Sequence, residues 1–288
     1  MKKITAILLL FVIAPFFSIA QDWHVGGLLG ISNYNGDLVE KRVDFRYTGP
    51  AIGLLARKDI NRYLTLRGGF TFGIISAADS TNENKNLVAR NLSFKSNVFE
   101  LSVLGELNFL DIEAKGFTPY IFAGVAGFGF DPTAKDLQGN RISLRSLGTE
   151  GQGLPQYPDR QAYNLIQVAI PFGAGIKVLL NDSWTLGLEV GIRKTFTDYL
   201  DDVSTTYVDE NTLLAMRGQK AVDMAYRGDE VTGKGQIPGT YPLDGTVRGN
   251  PDNKDWYMFS GLTITYRLSS GSSGGWGRQK ASRCPVFK

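Results

Sequence analysis

Seven charged side chains interrupt otherwise apolar, alternating stretches of this chain: Arg67, Glu100, Glu106, Lys177, Glu189, Arg193 and Arg267. Residues two apart on an extended chain share a face, so all seven lie opposite a face of Leu, Val, Ile and Phe. Charges held on one inward face either line a conducting or catalytic lumen, or pair with one another and plug a narrow interior. Little else in the chain serves catalysis. It has one histidine, His24, and one cysteine, Cys284, which leaves no internal disulfide and too few ligands for a zinc site. His24 falls on an alternating segment with nothing nearby to orient it as a base. The carboxylates Asp198, Asp201, Asp202, Asp209 and Glu210 are of the type that binds calcium, but their spacing matches no dedicated calcium loop. They read as a solvated acidic loop. Gly26-Gly27 and Gly68-Gly69 precede no helix, so they serve packing or bending and are not phosphate cradles. The expectation is a protein that is not an enzyme, with no catalytic residue, metal or cofactor.

The elements that must position these charges have a period of two. In Trp23 to Asn33, Trp23, Val25, Leu29 and Ile31 oppose His24, Gly26, Gly30 and Ser32. The same alternation runs through Tyr47 to Arg57, Tyr63 to Ile75, Asn91 to Phe109, Phe117 to Phe130, Asn164 to Leu180, Ser183 to Phe196 and Asp255 to Leu268. Alternation over such lengths marks strands. Each segment reaches the roughly 9–11 residues that a tilted strand needs to cross a bilayer, whereas strands of soluble proteins usually stop at about 5–6. The connections alternate without exception: long at 35–46, short at 58–62, long at 76–90, short at 110–116, long at 131–163, short at 181–182, long at 197–254.

Short turns on one side and long loops on the other are the pattern of an outer-membrane barrel, in which the turns are periplasmic. A closed barrel also meets the demand of hydrocarbon that every backbone amide find an internal partner. The reading is an all-β, eight-stranded antiparallel transmembrane β-barrel with long external loops and short periplasmic turns. Aromatics toward the strand ends (Trp23, Tyr63, Phe109, Phe117, Tyr120, Trp184, Trp256, Tyr257 and Tyr266) suit interfacial girdles. Eight strands leave an interior only wide enough for side chains to fill it. That favours the plug over the lumen for the seven inward charges.

Composition agrees. Of 288 residues 34 are Gly and 11% are aromatic, against a usual Gly share of about 7%, as in a β-rich chain with close backbone approaches. A mean hydropathy of −0.11 argues against a bundle of membrane helices. Lys2 and Lys3, the apolar run from Ile4 to Phe17 and the small residues Ser18 and Ala20 form a secretory signal with cleavage expected before Gln21. The expected organisation is a signal peptide at 1–20, the barrel at 21–268 and a flexible Gly/Ser-rich basic tail at 269–288. Without Lys2 and Lys3 the chain keeps 29 basic against 28 acidic residues, too even a balance for a nucleic-acid binder.

Several runs resemble the PorG family. They are Asn33-Tyr34-Asn35-Gly36-Asp37-Leu38, Asn91 to Ser96, Phe117 to Gly124, Gly148-Thr149-Glu150-Gly151-Gln152-Gly153 and Ala169 to Gly173. The most specific is Thr195-Phe196-Thr197-Asp198-Tyr199-Leu200-Asp201-Asp202-Val203-Ser204. The resemblance spans roughly Asp22 to Leu268. It implies a small outer-membrane barrel of the Bacteroidetes, part of the type IX secretion and gliding machinery, tying the periplasmic PorK–PorN ring to the outer membrane. A ring beneath the membrane would meet only the two chain ends and the periplasmic turns, which carry Lys58, Asp59, Asn61, Arg62, Asp111, Glu113, Lys115, Asn181 and Asp182. The alternative is a stand-alone small barrel of the OmpA/OmpX kind, serving envelope integrity, adhesion or small-solute passage through its external loops.

Overall fold

A computed structural model describes residues 23–40, 45–231 and 239–268. The leader, the tail with Cys284, and the cleavage site lie outside the described residues. Eight long strands close on themselves: β1 (Trp23–Asn35), β2 (Gly49–Asp59), β3 (Leu64–Ala78), β4 (Ser93–Asn108), β5 (Phe117–Gly129), then β8 (Ile166–Leu179), β9 (Trp184–Thr195) and β10 (Trp256–Leu268). Each pairs antiparallel with its neighbours, and β1 completes the circle by pairing with β10 from Trp23↔Leu268 to Asn35↔Trp256. No edge is left open, so the wall satisfies its own backbone hydrogen bonds. Between β5 and β8 a short hairpin, β6 (Pro132–Lys135) and β7 (Arg141–Ser143), adds to β4 beyond the barrel.

At the long-loop end β1 and β3 run two or three residues further than the alternation predicts, while the other six strands stop one or two residues short. β1 reaches Asn35 and β3 reaches Ala78, while β4 is 16 residues long, about 50 Å at 3.3 Å per residue. At a tilt of about 35–45° that covers roughly 40 Å along the axis, more than the ~30 Å hydrocarbon core. Helices occupy the connections. α1 (Lys85–Arg90) is capped by Asn84 and closed by left-handed Asn91. In the β4–β5 turn, α2 (Ile112–Lys115) starts on Asp111, whose carboxylate accepts from the Glu113 and Ala114 amides, and ends on Gly116 at φ 78°. The longest loop holds α3 (Glu210–Arg217), capped by Asp209, and α4 (Gln219–Ala225), with Gly218 at φ 83° between them. A positive φ suits glycine, which has no Cβ to clash.

The wall is inverted relative to a soluble protein. Its outward phase is apolar and exposed: Leu29 is 71% exposed, Leu54 70%, Leu101 67% and Val125 61%. Its inward phase is buried and mixes charged and polar side chains with aromatics, glycines and aliphatics such as Leu28, Leu55, Val98 and Leu104. The aromatics of β5 and β10 fill the interior because glycines face them. A Cβ on Gly175 would stand 2.7 Å from the Tyr120 ring, on Gly191 2.9 Å from Phe122, and on Gly73 2.4 Å from Phe259. Such pairing of large and small residues fits a small barrel's bore. Two expectations are corrected here. Tyr120 and Tyr257, assigned above to the girdles, are each 1% exposed and point inward, held there by interior carboxylates. Trp23, Tyr63, Phe109, Phe117, Trp184 and Tyr266 face outward and are exposed; Trp184 and Tyr266 pack ring to ring at 5.0 Å.

Candidate functional site: a plugged bore and a folded cap

The inward charges form two clusters stacked along the bore. In the first, Glu106 receives Arg57 Nε at 3.1 Å and Lys177 Nζ at 2.5 Å, with Arg67 Nη1 3.1 Å away. Glu189 receives Arg67 Nη1 at 2.6 Å and the Tyr120 hydroxyl at 2.7 Å, and Lys177 also donates to Asn108 at 2.9 Å. In the second, Glu100 takes a two-pronged contact from Arg193, Nε at 3.0 Å and Nη2 at 3.2 Å, plus the Tyr257 hydroxyl at 2.8 Å. Aromatic faces fill the gaps: the Arg67 guanidinium lies 4.7 Å from the centre of Phe122, and Arg193 4.6 Å from that of Phe259. Arg67, Glu100, Glu106, Lys177, Glu189 and Arg193 are all at most 5% exposed.

Arg267 does not join them. It shares the inward phase but lies at the short-turn rim, where it pairs with Glu113 of α2. Its height along the barrel, not its phase, decides this. Arg57 was not singled out in the sequence, although Ile52, Leu54 and Ala56 put it on the inward face. It stands directly across from Arg67 in the β2–β3 register, a like-charge juxtaposition that is unfavourable unless Glu106 and Glu189 lie between, as they do.

At the short-turn end a cavity of about 170 Å³ opens between His24, Asp59, Asp111, Lys177 and Arg267, among others. His24 Nε2 is 3.0 Å from Asp59, whose other oxygen takes the Thr65 hydroxyl at 2.6 Å. Lys58 sits over the Trp23 ring at 5.4 Å. In the turns, Arg62 lies 3.7 Å from Asp111, and Asn181 Oδ1 accepts the Ser183 and Trp184 amides and so sets the bend. Asn61, Arg62, Glu113, Lys115, Asn181 and Asp182 are exposed.

At the other end the loops fold into a cap built in part by three of the runs that carry the family resemblance, at 33–38, 148–153 and 195–204, whereas the runs at 117–124 and 169–173 lie in β5 and β8. Asp198, Asp201 and Asp202 are not a solvated loop: they are 3%, 2% and 0% exposed. The Tyr34 hydroxyl donates to Asp201 at 2.5 Å and lies 3.2 Å from Asp255. Thr149 and Tyr163 donate to Asp202 at 2.5 and 2.7 Å, and Ser204 to Asp198 at 2.7 Å. Thr195, at the end of β9, donates to the Asp255 carbonyl at 2.6 Å, and Thr197 Oγ1 accepts the Tyr199 amide. The Tyr199 ring stacks on Tyr163 at 4.7 Å. Leu200 and Val203 enter the apolar core, while Phe196 stays exposed on the outside. Asp202 adopts φ 69°, turning the chain there. Glu150 ties the run down, accepting the Ser204 amide at 2.9 Å, the Thr205 hydroxyl at 2.7 Å and Arg248 Nη1 at 2.9 Å. A second buried pair, Arg90 with Asp79 at 2.7 Å, joins α1 to the end of β3.

Burial pushes Asp202 and Asp198 up to about 6. It raises Asp201 and Asp255 well above the usual carboxylate range, with neighbouring carboxylates adding to the effect. Their oxygens accept from hydroxyls and amides, except Asp198 Oδ1, which is buried with no hydrogen-bond partner among the described residues. Among the described residues no three His, Cys, Asp or Glu side chains meet in a metal-holding arrangement. Asp209 is an N-cap and Glu210 is exposed.

Comparison with solved structures finds small bacterial barrels. The attachment invasion locus protein Ail of Yersinia pestis matches with 9% identity and a TM-score of 0.40, over 87% of this chain and all of that one. Neisserial surface protein A matches with 8% identity and a TM-score of 0.43, over 85% and 97%. A major outer membrane protein of Thermus thermophilus matches with 13% identity and a TM-score of 0.38, over 87% and 100%. No curated protein sequence matches. One family description, "Domain of unknown function (DUF6089)", matches residues 2–146 and 150–221. Those two stretches make up most of the chain, which therefore belongs to the DUF6089 family.

Proposed function

We propose that the chain is an integral outer-membrane barrel whose work is mechanical: it holds a periplasmic assembly, the PorK–PorN ring of the type IX secretion machinery, against the membrane. The observation that carries the membrane reading is the closed wall with its exposed apolar outward phase. Such a surface is stable against hydrocarbon and would aggregate in water. The bore, packed with paired charges and aromatic rings, and the capped mouth both oppose solute passage. The ring role rests on the resemblance, whose most specific run, 195–204, builds the cap at the far end from any periplasmic partner.

A ring beneath the membrane reaches this protein through the short-turn end. There the exposed side chains are Arg62, Glu113, Lys115 and Asp182, together with Asn61 and Asn181 at the bends; Arg62 already faces Asp111 and Glu113 faces Arg267, and Lys58, Asp59 and Asp111 are engaged with Trp23, His24 and the α2 amides. The test replaces the exposed turn residues by Gly and Ser in the full chain. The expected result is loss of PorK and PorN on co-purification, while the barrel keeps its heat-dependent shift in gel mobility. Retention of both proteins refutes the contact surface.

The folded cap favours a second reading, a stand-alone barrel whose external surface adheres or stiffens the envelope. Deleting the gene separates the two. Loss of type IX cargo export supports the anchor, and normal export with altered adhesion supports the cap.

A further inference from the structure

We propose that the outward face of the extension formed by β4, β6 and β7 binds the phosphate groups of a lipid in the leaflet at the long-loop end. The proposal rests on the membrane reading above. Along the outward phase of β4, Leu107, Val103, Leu101 and Phe99 give way to Asn97 and Lys95. The β4–β6 register sets Thr133 opposite Lys95, and the β6–β7 register sets Lys135 opposite Arg141. Paired residues project to the same side, so three cations share one face just beyond the apolar belt. Arg141 reaches back to donate to the Thr133 hydroxyl at 2.8 Å, and Thr133 donates to the Lys95 carbonyl at 2.7 Å. These bonds shape a groove of about 280 Å³ lined by Ile74, Lys95, Asn97, Asp131, Thr133 and Arg141.

Two features of this groove point to an anion. The interior cations of the barrel each meet a carboxylate, whereas among the described residues Lys95, Lys135 and Arg141 form no ion pair. The groove's one carboxylate, Asp131, accepts the Ser143 hydroxyl at 2.6 Å. Lys135 stands directly opposite Arg141, an arrangement that costs stability unless a counter-charge lies between them. The foot of the groove decides the kind of anion. Ile74 is half-buried on the outward face and continues the belt of Phe72 and Phe99, so a ligand with an apolar tail and a phosphorylated head matches both ends. A free anion matches only the cations.

The test uses the full-length protein in uncharged maltoside micelles, with bis-phosphorylated lipid A as probe and bound lipid counted by native mass spectrometry. The wild-type chain should bind the phosphorylated lipid in preference to a dephosphorylated analogue. K95Q/R141Q should weaken that binding about fivefold for each cation removed, and Lys115→Gln, at the opposite end, should leave it unchanged. Lys95→Gln alone, which keeps the Arg141–Thr133 bond, covers the case in which the double variant does not fold. Equal binding by wild type and both variants, equal binding of the dephosphorylated lipid, or inorganic phosphate binding as tightly as the lipid would each overturn the site. A chain that fails to enter bilayers refutes the membrane reading instead. An inserted barrel with no phosphate preference refutes the site alone.

Discussion

Glu106→Gln is the sharpest probe of the plugged bore. In the native cluster three cations, Arg57, Arg67 and Lys177, share two carboxylates, Glu106 and Glu189. Removing one carboxylate leaves three positive charges against one negative, all of them at most 5% exposed. The amide oxygen can still accept from Arg57, and Lys177 keeps its 2.9 Å contact with Asn108, so the change is chiefly one of charge. Breaking a buried ion pair by losing one partner costs about 3–5 kcal/mol, whereas an exposed pair is worth about 0.2–1 kcal/mol. The expected loss therefore lies in the first range. Adding Lys177→Met removes a cation of similar length and restores an excess of one positive charge, so the double variant should recover most of the loss. Urea unfolding in phosphatidylcholine vesicles, followed by tryptophan fluorescence, measures both. A single-variant loss below about 1 kcal/mol, or a double variant no more stable than the single, would refute the argument that charge balance in the bore holds the barrel together.

Three further outcomes are expected. Gly30→Ala should block the β1–β10 seam, because its Cβ would fall 2.0 Å from the Ser260 carbonyl oxygen; refolding yield on a gel-shift assay should drop sharply, and unchanged yield would mean the seam is looser than its register implies. Arg248→Met strips Glu150 and Asp202 of a buried cation and should loosen the cap by about 3–5 kcal/mol, so limited proteolysis should cut the 197–254 loop while the barrel core survives; an uncut loop would show that the cap does not depend on this cation. The cap should also respond to pH. Asp198 and Asp202 are raised from 3.8 to about 6, so the folded cap binds these protons more tightly than the unfolded loop does. Their contribution is full below pH 3.8 and is lost as pH rises through about 6, with Asp201 and Asp255 extending the loss upward. Hydrogen exchange across residues 198–204, corrected for the intrinsic rate, should be slower at pH 4.5 than at pH 7.5, and the reverse order would refute the assignment.

The strands were legible because a barrel wall is one residue thick. Each side chain meets either hydrocarbon or the bore, so Leu64, Leu66, Phe70 and Phe72 alternating with Thr65, Arg67 and Thr71 reports the environment directly. The same pattern places Arg57 inward, and reading every inward position of β2 would have found it. Height along the axis has no such signature. Arg267 and Arg193 share a phase, yet one reaches the rim and the other the core; Tyr257 shares the end-of-strand position of Trp256, yet points the opposite way. Phase was available for that last distinction, but aromatic type alone suggested the girdle.

The cap was not readable at all. Asp198 to Ser204 has no periodicity, and its polarity suggests exposure. It is buried because Tyr34 from β1, Glu150 from the 131–163 connection and Arg248 from the far end of its own loop converge on it. Local order of residues dictated which ones face lipid and which face the bore, since that follows from the two-residue repeat of an extended backbone. Whether a given inward charge finds a partner, and whether an acidic loop meets water or a protein core, was settled only when distant strands and loops came together, because those outcomes depend on neighbours that the linear chain does not specify.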